Sequence, residues 1–392
     1  MTRRPRRPDV AVIGGGPIGL AIAWRLLRAG CTVTVLDAEE PEAAWRVSAG
    51  MLSPAIEADY GQEQLVLLAR EALAGYPAFV AMLEAEAATA IGFRRVGSLS
   101  VALDRDQLEA LRRRFQLLRQ ALRLDVAWLR GSECREREPL LSPRVAAGIH
   151  APADAQVDPR ALVAALREAT RRRGGLLRRA RVDSLAMAGG RVIGVRSGAE
   201  TLLAGTVVLA AGAWAGTIAS PVELPVRPVK GQILRLRAEA LPSMLLQSEQ
   251  VYVFRRSSGE VVLGATVEEQ GFDSTATAGG TFQLLEEGLR MVPAMSEWTL
   301  AEAGVGFRPT APDNAPLIGE IAPGLVVACA HHRNGILLAP TTAEAVVRLV
   351  EHGQLPALVA PFTPDRYRSR HDPDRDRSQR LAVPALGRPE RH

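Results

Sequence analysis

The first forty residues constrain this chain more than any other stretch. Asp9-Val-Ala-Val-Ile13 is a short β-branched run with no helical period, the pattern of a strand buried on both faces. Gly14-Gly-Gly-Pro-Ile-Gly19 follows and contains G-x-G-x-x-G. Leu20–Ala29 then reads as an amphipathic helix stopped by Gly30. Cys31-Thr-Val-Thr-Val-Leu36 is a second strand, and Asp37 stands at its end, 18 residues beyond Gly19. Each part has a physical task. Gly14 allows a tight turn, Gly16 lets backbone approach a pyrophosphate, and Gly19 lets helix pack closely on strand. The helix start, with Pro17 and Ile18, offers unpaired N–H groups and a positive dipole end to phosphates. Asp37 is placed to accept ribose hydroxyls, and a carboxylate there argues against a 2′-phosphate. The ordered set predicts a dinucleotide site, where isolated glycines would carry little weight.

The rest of the composition bounds the answer. With 392 residues the chain can fill two domains or one large interleaved α/β body. The formal charge of +5 suggests nucleic acid until it is located. Arg3, Arg4, Arg6 and Arg7 sit in an N-terminal arm, and the stretch after Tyr367 holds seven arginines against four acids. The body is left slightly acidic, with no basic face carrying interleaved aromatics, so no nucleic-acid partner is expected. Arginines 3–7 before the apolar Val10–Ala29 imitate a membrane segment, but the glycines, Pro17 and Arg25 do not suit a span, and no membrane partner is expected. Cys31, Cys134 and Cys329 are odd in number and far apart, which fits a reducing cytoplasm rather than a disulfide framework. The adjacent His331 and His332 diverge and lack a third ligand, so no metal is expected.

Thr206-Val-Val-Leu-Ala-Ala-Gly-Ala-Trp214 reads as a further buried strand ending in a small-residue turn. It is either an ordinary core strand or the return of an interleaved chain to the nucleotide domain. Leu65–Ala87 and Arg105–Leu124 have helical apolar spacing with charged faces. The first either covers a site or packs in the core. Val157-Asp-Pro-Arg160 reads as a helix start with Asp158 as cap and Pro159 at the first position.

Several strings together resemble one family. They are Val10–Glu39, Val47-Ser-Ala-Gly-Met-Leu-Ser53, Val207–Trp214, Gly304-Val-Gly-Phe-Arg-Pro309 and His331-His-Arg-Asn-Gly-Ile-Leu-Leu-Ala-Pro340. The chain is similar over about residues 9–367 to the D-amino-acid oxidase superfamily of FAD enzymes, and within it to the glycine oxidases of thiamine biosynthesis. The resemblance implies an α/β fold, a Rossmann-type FAD-binding domain interleaved with an antiparallel-sheet substrate domain. Residues 9–90, 145–220 and 300–367 would form the first and residues 91–144 and 221–299 the second. Residues 1–8 would be a flexible basic arm and 368–392 a disordered tail. Gly97–Ala102, Arg227–Leu236 and Glu260–Gly264 would be strands of the substrate sheet.

Carried over residue by residue, the resemblance gives Asp37 and Ala38 to the adenosine ribose and Trp45 and Arg46 to the pyrophosphate region. Gly50, Met51 and Leu52 would place backbone beside the flavin, with Met51 also in the pocket. Val182 would meet the adenine end, and the turn of Ala211, Gly212 and Trp214 would lie against the cofactor. His331, Arg333, Asn334, Gly335, Ile336 and Leu337 would wrap the flavin ring, Arg333 either facing substrate or pairing with the FAD phosphates. Arg308 matches the arginine that holds the substrate carboxylate, and Tyr252 the pocket tyrosine. Non-covalent FAD is implied, because no cysteine stands near Arg308. Gln250 replaces an expected His and Val267 an expected Met, both at pocket positions, which would make room for sarcosine, D-alanine or larger imino acids.

The implied reaction is oxidation of glycine or a small amino acid to the oxo acid and ammonia, with molecular oxygen as second partner and hydrogen peroxide as product. The absence of paired carboxylates or a Ser/His/Asp set fits, since the cofactor supplies the chemistry and the protein the carboxylate anchor. A D-amino-acid or secondary-amine dehydrogenase using another acceptor, and a redox-silent FAD module, are the rival readings; a homo-oligomer is left open.

Overall fold

The computed structural model describes residues 7–368. The expected basic arm before residue 7 and the tail after 368 lie outside the described residues. Residues 7 and 8 of that arm are docked: Pro8 is buried and its carbonyl accepts from Gly205 N–H, while the Arg7 guanidinium donates to Ala204 carbonyl.

Two sheets organise the chain. The first has six strands in the order Leu317–Ala322, Leu325–Cys329, Thr206–Leu209, Val10–Ile13, Val33–Asp37 and Leu176–Arg179. All neighbours are parallel except the Leu317–Ala322 edge strand. The side chains of Val10–Ile13 alternate between two cores. Val10 and Val12 pack with the helices Pro17–Arg28, Pro159–Arg172 and Ala339–His352. Ala11 and Ile13 pack towards the small antiparallel sheet Ser184–Leu203. Burial on both faces is why this strand carries an unbroken apolar run. Asp158 caps Pro159–Arg172 by accepting from the Arg160 and Ala161 N–H groups, as its sequence predicts.

The second sheet has eight strands, in the order Thr299–Thr310, Arg227–Arg237, Glu260–Gly264, Tyr252–Arg255, Leu245–Gln247, Ser98–Ala102, Ala147–Ala151 and Ala127–Arg130. It is antiparallel apart from the pairing of Leu245–Gln247 with Ser98–Ala102. Ala147–Ala151 and Thr299–Thr310 therefore belong to this sheet, although the sequence assigns their stretches to the cofactor domain. Thr206–Leu209 is the returning strand, paired in register with Val10–Ile13, each partner 196 positions further along the chain.

Glu63–Ala87 is long and apolar enough by composition to cross a membrane. Its apolar stripe is instead part of the main core, with Phe79 edge-on to Trp24 at 5.6 Å. The Tyr76 hydroxyl donates to Ile336 carbonyl at 3.2 Å, tying this helix to the 331–337 segment. Most of its length packs in the core, while Leu65 in its first turn also lines the outer pocket beside Arg333.

Candidate active site

A long cleft runs along the carboxyl ends of the parallel strands, where open α/β sheets bind ligands. At its floor Gly14 adopts φ +107°, and a Cβ there would lie 2.3 Å from Ala210 carbonyl, so only glycine fits the turn. The following helix begins with Gly16 as cap and Pro17 at the first position, and no side chain caps it. Its first-turn N–H groups are thus left to a ligand, which is the donor chemistry a pyrophosphate requires.

The cleft is lined by Gly14, Gly16, Pro17, Ile18, Asp37, Ala38, Trp45, Val182, Ala211, Gly212, Trp214, His331, Arg333, Gly335 and Ile336, all expected from the sequence. Asp37 meets Arg167 at 2.5 Å, and the same guanidinium reaches Glu39 at 3.1 Å. Arg181 and Glu40, a lining ion pair, stand near the same end. At the other end Trp214 and Phe307 line the wall edge to face, 6.0 Å apart, with Phe272 stacked on Trp214 at 5.5 Å. A polar, charge-bearing end and an aromatic, apolar end match the two halves of FAD.

The strand Thr299–Thr310 divides this cleft from a second, smaller cavity of about 80 Å³. Alternation puts Phe307 and Pro309 in the cleft and Gly306 and Arg308 in the cavity. The Arg308 guanidinium donates through Nη1 to the carbonyls of Lys230 (3.2 Å) and Thr266 (3.0 Å). Two glycines make room for the polar groups. A Cβ on Gly231 would fall 2.5–2.7 Å from the Arg308 guanidinium, and one on Gly264 would fall 2.4 Å from the Tyr252 hydroxyl oxygen. Burial lowers the Arg308 pKa from its ordinary value, with Arg333 adding to the effect, yet a guanidinium stays charged. Burial raises the Tyr252 hydroxyl, keeping it a donor.

Arg333 lines the cleft, the cavity and an outer vestibule of about 380 Å³. Its partner is Glu57, which it meets through Nε at 2.8 Å and Nη2 at 3.0 Å. His331 is buried, its Nε2 3.0 Å from Thr342 Oγ1, and burial pushes its pKa down to about 3. No group of three or more His, Cys, Asp or Glu able to hold a metal ion occurs among the described residues.

Some expected site residues stand elsewhere. Val267 is 69 % exposed and outside the cavity, in the irregular stretch after Glu260–Gly264, where Thr266 is buried by its hydroxyl's bonds to Gln232 N–H and Glu268. Gln250 is exposed in the turn before Tyr252; Gln247, Ser248 and Glu249 reach the vestibule instead. Arg46 lies over the Trp45 ring at 4.6 Å and donates to Glu40 carbonyl, facing away from the cleft. Leu52 and Leu337 are core residues, Gly19 packs against Gly14 carbonyl, and Asn334 is buried at the vestibule. Gly50 and Met51 line the small cavity. The sequence did not single out Glu57, Gly231, Gly264 or Arg167, and it weighed His332 by itself only as a metal ligand. Their importance comes from tertiary contacts, and only the acid at Glu57, shortly after Gly50-Met-Leu52, offered any signal.

The glycine-turn cleft at the strand ends defines a dinucleotide-binding oxidoreductase of the flavin-dependent class. The chain belongs to the FAD dependent oxidoreductase (DAO) family, whose model matches residues 9–349, and it is an enzyme of glycine oxidase type. It is 33 % identical to the glycine oxidase of Geobacillus kaustophilus over 92 % of this chain and 97 % of that protein. The crystal structure of glycine oxidase from that organism superposes with a TM-score of 0.84, covering 91 % of this chain and 98 % of that one. Iminodiacetate oxidase from Chelativorans sp. BNC1 superposes at 0.83 with 28 % identity, covering 91 % and 98 %. The bifunctional protein ThiO/ThiG of Trichormus variabilis is also 33 % identical over 92 % of this chain; the chain spans 55 % of its length.

Proposed function

We propose that this protein oxidises glycine or a close N- or Cα-substituted relative to the imine, which water converts to the 2-oxo acid and ammonia or amine. The observation that carries the reading is the pairing of Arg308 and Tyr252 in a small cavity across one strand from the cofactor cleft. Arg308 has a planar fork that matches a carboxylate, and its Nη1 is already oriented by two carbonyls. Tyr252 donates a second hydrogen bond to the same carboxylate. Hydrogen bonds to a charged group contribute about 1.5–3 kcal/mol each, enough to fix which carbon faces the cleft.

When bound, FAD supplies the oxidising chemistry by accepting the Cα hydrogen with its electron pair, while the amine lone pair forms the C=N bond. The chain's own residues bind, orient and exclude water. Ile233 and Met51 give the cavity an apolar wall. The Glu57–Arg333 pair stands between cavity and vestibule.

The larger vestibule favours N-substituted or longer amino acids as additional substrates, since a substituent has space beyond the ion pair. Oxygen is the proposed electron acceptor and hydrogen peroxide the by-product. Supply of an imine to thiazole synthesis for thiamine is the proposed pathway role, supported by the relatives fused to a second protein. Cys31, Cys134 and Cys329 are unpaired, which supports a cytoplasmic location.

The test is an anaerobic screen of the purified yellow protein against glycine, sarcosine, D-alanine, D-proline, iminodiacetate and longer D-amino acids. Bleaching of the flavin band by at least one of them is expected, with peroxide released on admitting air. A flavin that none of them reduces would overturn the reading; reduction without peroxide in air would replace the oxidase with a dehydrogenase.

A further inference from the structure

His332 is the residue for which the proposed function has no use. It lines the cofactor cleft, the small cavity and the vestibule at once, a junction it shares with Arg333. Its backbone has φ +47°, a left-handed conformation that costs a β-carbon-bearing residue energy and is retained where surrounding contacts impose it. Its N–H donates to Pro309 carbonyl at 2.8 Å, holding the residue against the strand that carries Arg308.

The ring is oriented by Thr310. Nδ1 lies 2.9 Å from Thr310 Oγ1, and the Thr310 hydroxyl donates to Arg308 carbonyl at 3.3 Å. One hydroxyl proton serves one acceptor; with the Thr310 proton on the Arg308 carbonyl, the pattern assigns the tautomer in which Oγ1 receives the His332 Nδ1–H and Nε2 keeps its lone pair. Arg308 and Thr310 share a strand face, about 7 Å apart along it, so the imidazole stands beside the carboxylate anchor. Nε2 has no hydrogen-bond partner among the described residues. The ring also stays neutral: burial pushes its pKa down to about 3, with Arg308 and Arg333 adding to the effect.

We infer that His332 is a further substrate-binding residue, whose Nε2 accepts a hydrogen bond from the substrate's amine N–H while Arg308 and Tyr252 hold the carboxylate. The inference rests on the amino-acid oxidase reading and deepens it. An amino acid gripped only by its carboxylate can rotate about the Cα–carboxylate bond and present any of three groups to the cleft. A second contact on the amine removes that freedom. An acceptor suits the task, because it engages a hydrogen of the amine and leaves the lone pair free to form C=N. A base this weak does not take the proton itself. Glu57, the nearby carboxylate, is committed to Arg333.

The test uses the holoprotein and two variants, His332→Phe, which keeps an aromatic ring without an acceptor, and His332→Gln, which places an amide oxygen near the Nε2 position. Two dissociation constants are read from flavin spectral changes: that of the best amino acid of the screen, from anaerobic reduction rates against concentration, and that of acetate, which has a carboxylate and no amine. The inference predicts that His332→Phe weakens the amino acid at least tenfold while acetate stays within twofold, and that His332→Gln recovers part of the loss. Equal weakening of both ligands would show a structural role and overturn it, as would an unchanged amino acid. A variant that loses its flavin would be read through His332→Gln alone, by the same ratio of the two constants. If wild-type flavin is reduced by no amino acid, the oxidase reading fails and this inference with it. If wild type is reduced and the ratio does not move, only the inference fails.

Discussion

Substituting Gly231→Ala separates the anchor's geometry from its charge. Gly231 lies in the middle of Arg227–Arg237 and has no positive φ, so alanine meets no backbone strain. The new Cβ would sit 2.5 Å from Arg308 Nη1, 2.6 Å from Nη2 and 2.7 Å from Cζ, where ordinary contacts are 3.4–4 Å. The guanidinium must retreat by about 1 Å, leaving its bonds to Lys230 and Thr266 carbonyls. Because the end of a flexible side chain moves rather than backbone, the stability cost should stay below about 1.5 kcal/mol. A 1 Å misplacement of a positioning group costs up to about 100-fold in rate, or about 2.7 kcal/mol. We expect kcat/KM for the best amino acid to fall 30- to 100-fold, in rough agreement with that limit, with Tm and FAD content nearly unchanged. Anaerobic stopped-flow reduction and thermal unfolding monitored by flavin fluorescence measure both. A kcat/KM within threefold of wild type, in a protein of normal Tm, would refute the assignment of Arg308 as anchor.

Other expectations follow from the same contacts. Burial raises the Asp154 carboxyl from 3.8 to about 7, against a hydrogen bond donated by the Ser98 hydroxyl at 2.6 Å. A raised carboxyl contributes stability that is complete below about pH 4 and is lost as pH rises through 7, at most about 4 kcal/mol. Wild-type Tm should therefore fall between about pH 4 and 7 and level off above, and Asp154→Asn should flatten the profile; parallel profiles would contradict this. Asp37→Asn removes the charge of the proposed ribose contact and should weaken FAD by about 10- to 100-fold, from about 1.5–3 kcal/mol, in a fluorescence titration of the apoprotein. Tyr252→Phe removes one donor to the carboxylate and should raise KM about 10- to 100-fold, from about 1.5–3 kcal/mol, with little change in Tm.

The sequence was most informative where chain-local physics decides the structure. The run Asp9–Asp37 spells strand, turn, helix, strand and acid in order, and the structure builds each part. Asp158-Pro159 likewise marked a helix start that depends only on neighbouring N–H groups. The turn at Ala211–Trp214 lines the cleft, as do His331, Arg333, Gly335 and Ile336 but not Asn334. Failures arose where one residue's step decides the face. Thr266 is buried and Val267 exposed in the irregular stretch after Gly264, and Gln250 lies in a turn whose other members reach the vestibule. The long-range pairs were not legible. Glu57 meets Arg333 across 276 residues, and Gly231 matters only because Arg308, 77 residues later, folds its guanidinium over it. The sheet boundary was missed for a related reason. Thr299–Thr310 pairs along its length with Arg227–Arg237, yet its last residues line both cavities.

The most direct measurement compares the best amino acid of the screen with the amine that lacks only its acid group, for example glycine with methylamine or sarcosine with dimethylamine. A site built on a carboxylate grip predicts rapid anaerobic loss of the yellow absorbance with the acid and, at equal concentration, none with the amine, the difference vanishing in Arg308→Met. Comparable bleaching by both compounds in the wild-type protein, or an Arg308→Met variant that still prefers the acid, would contradict it.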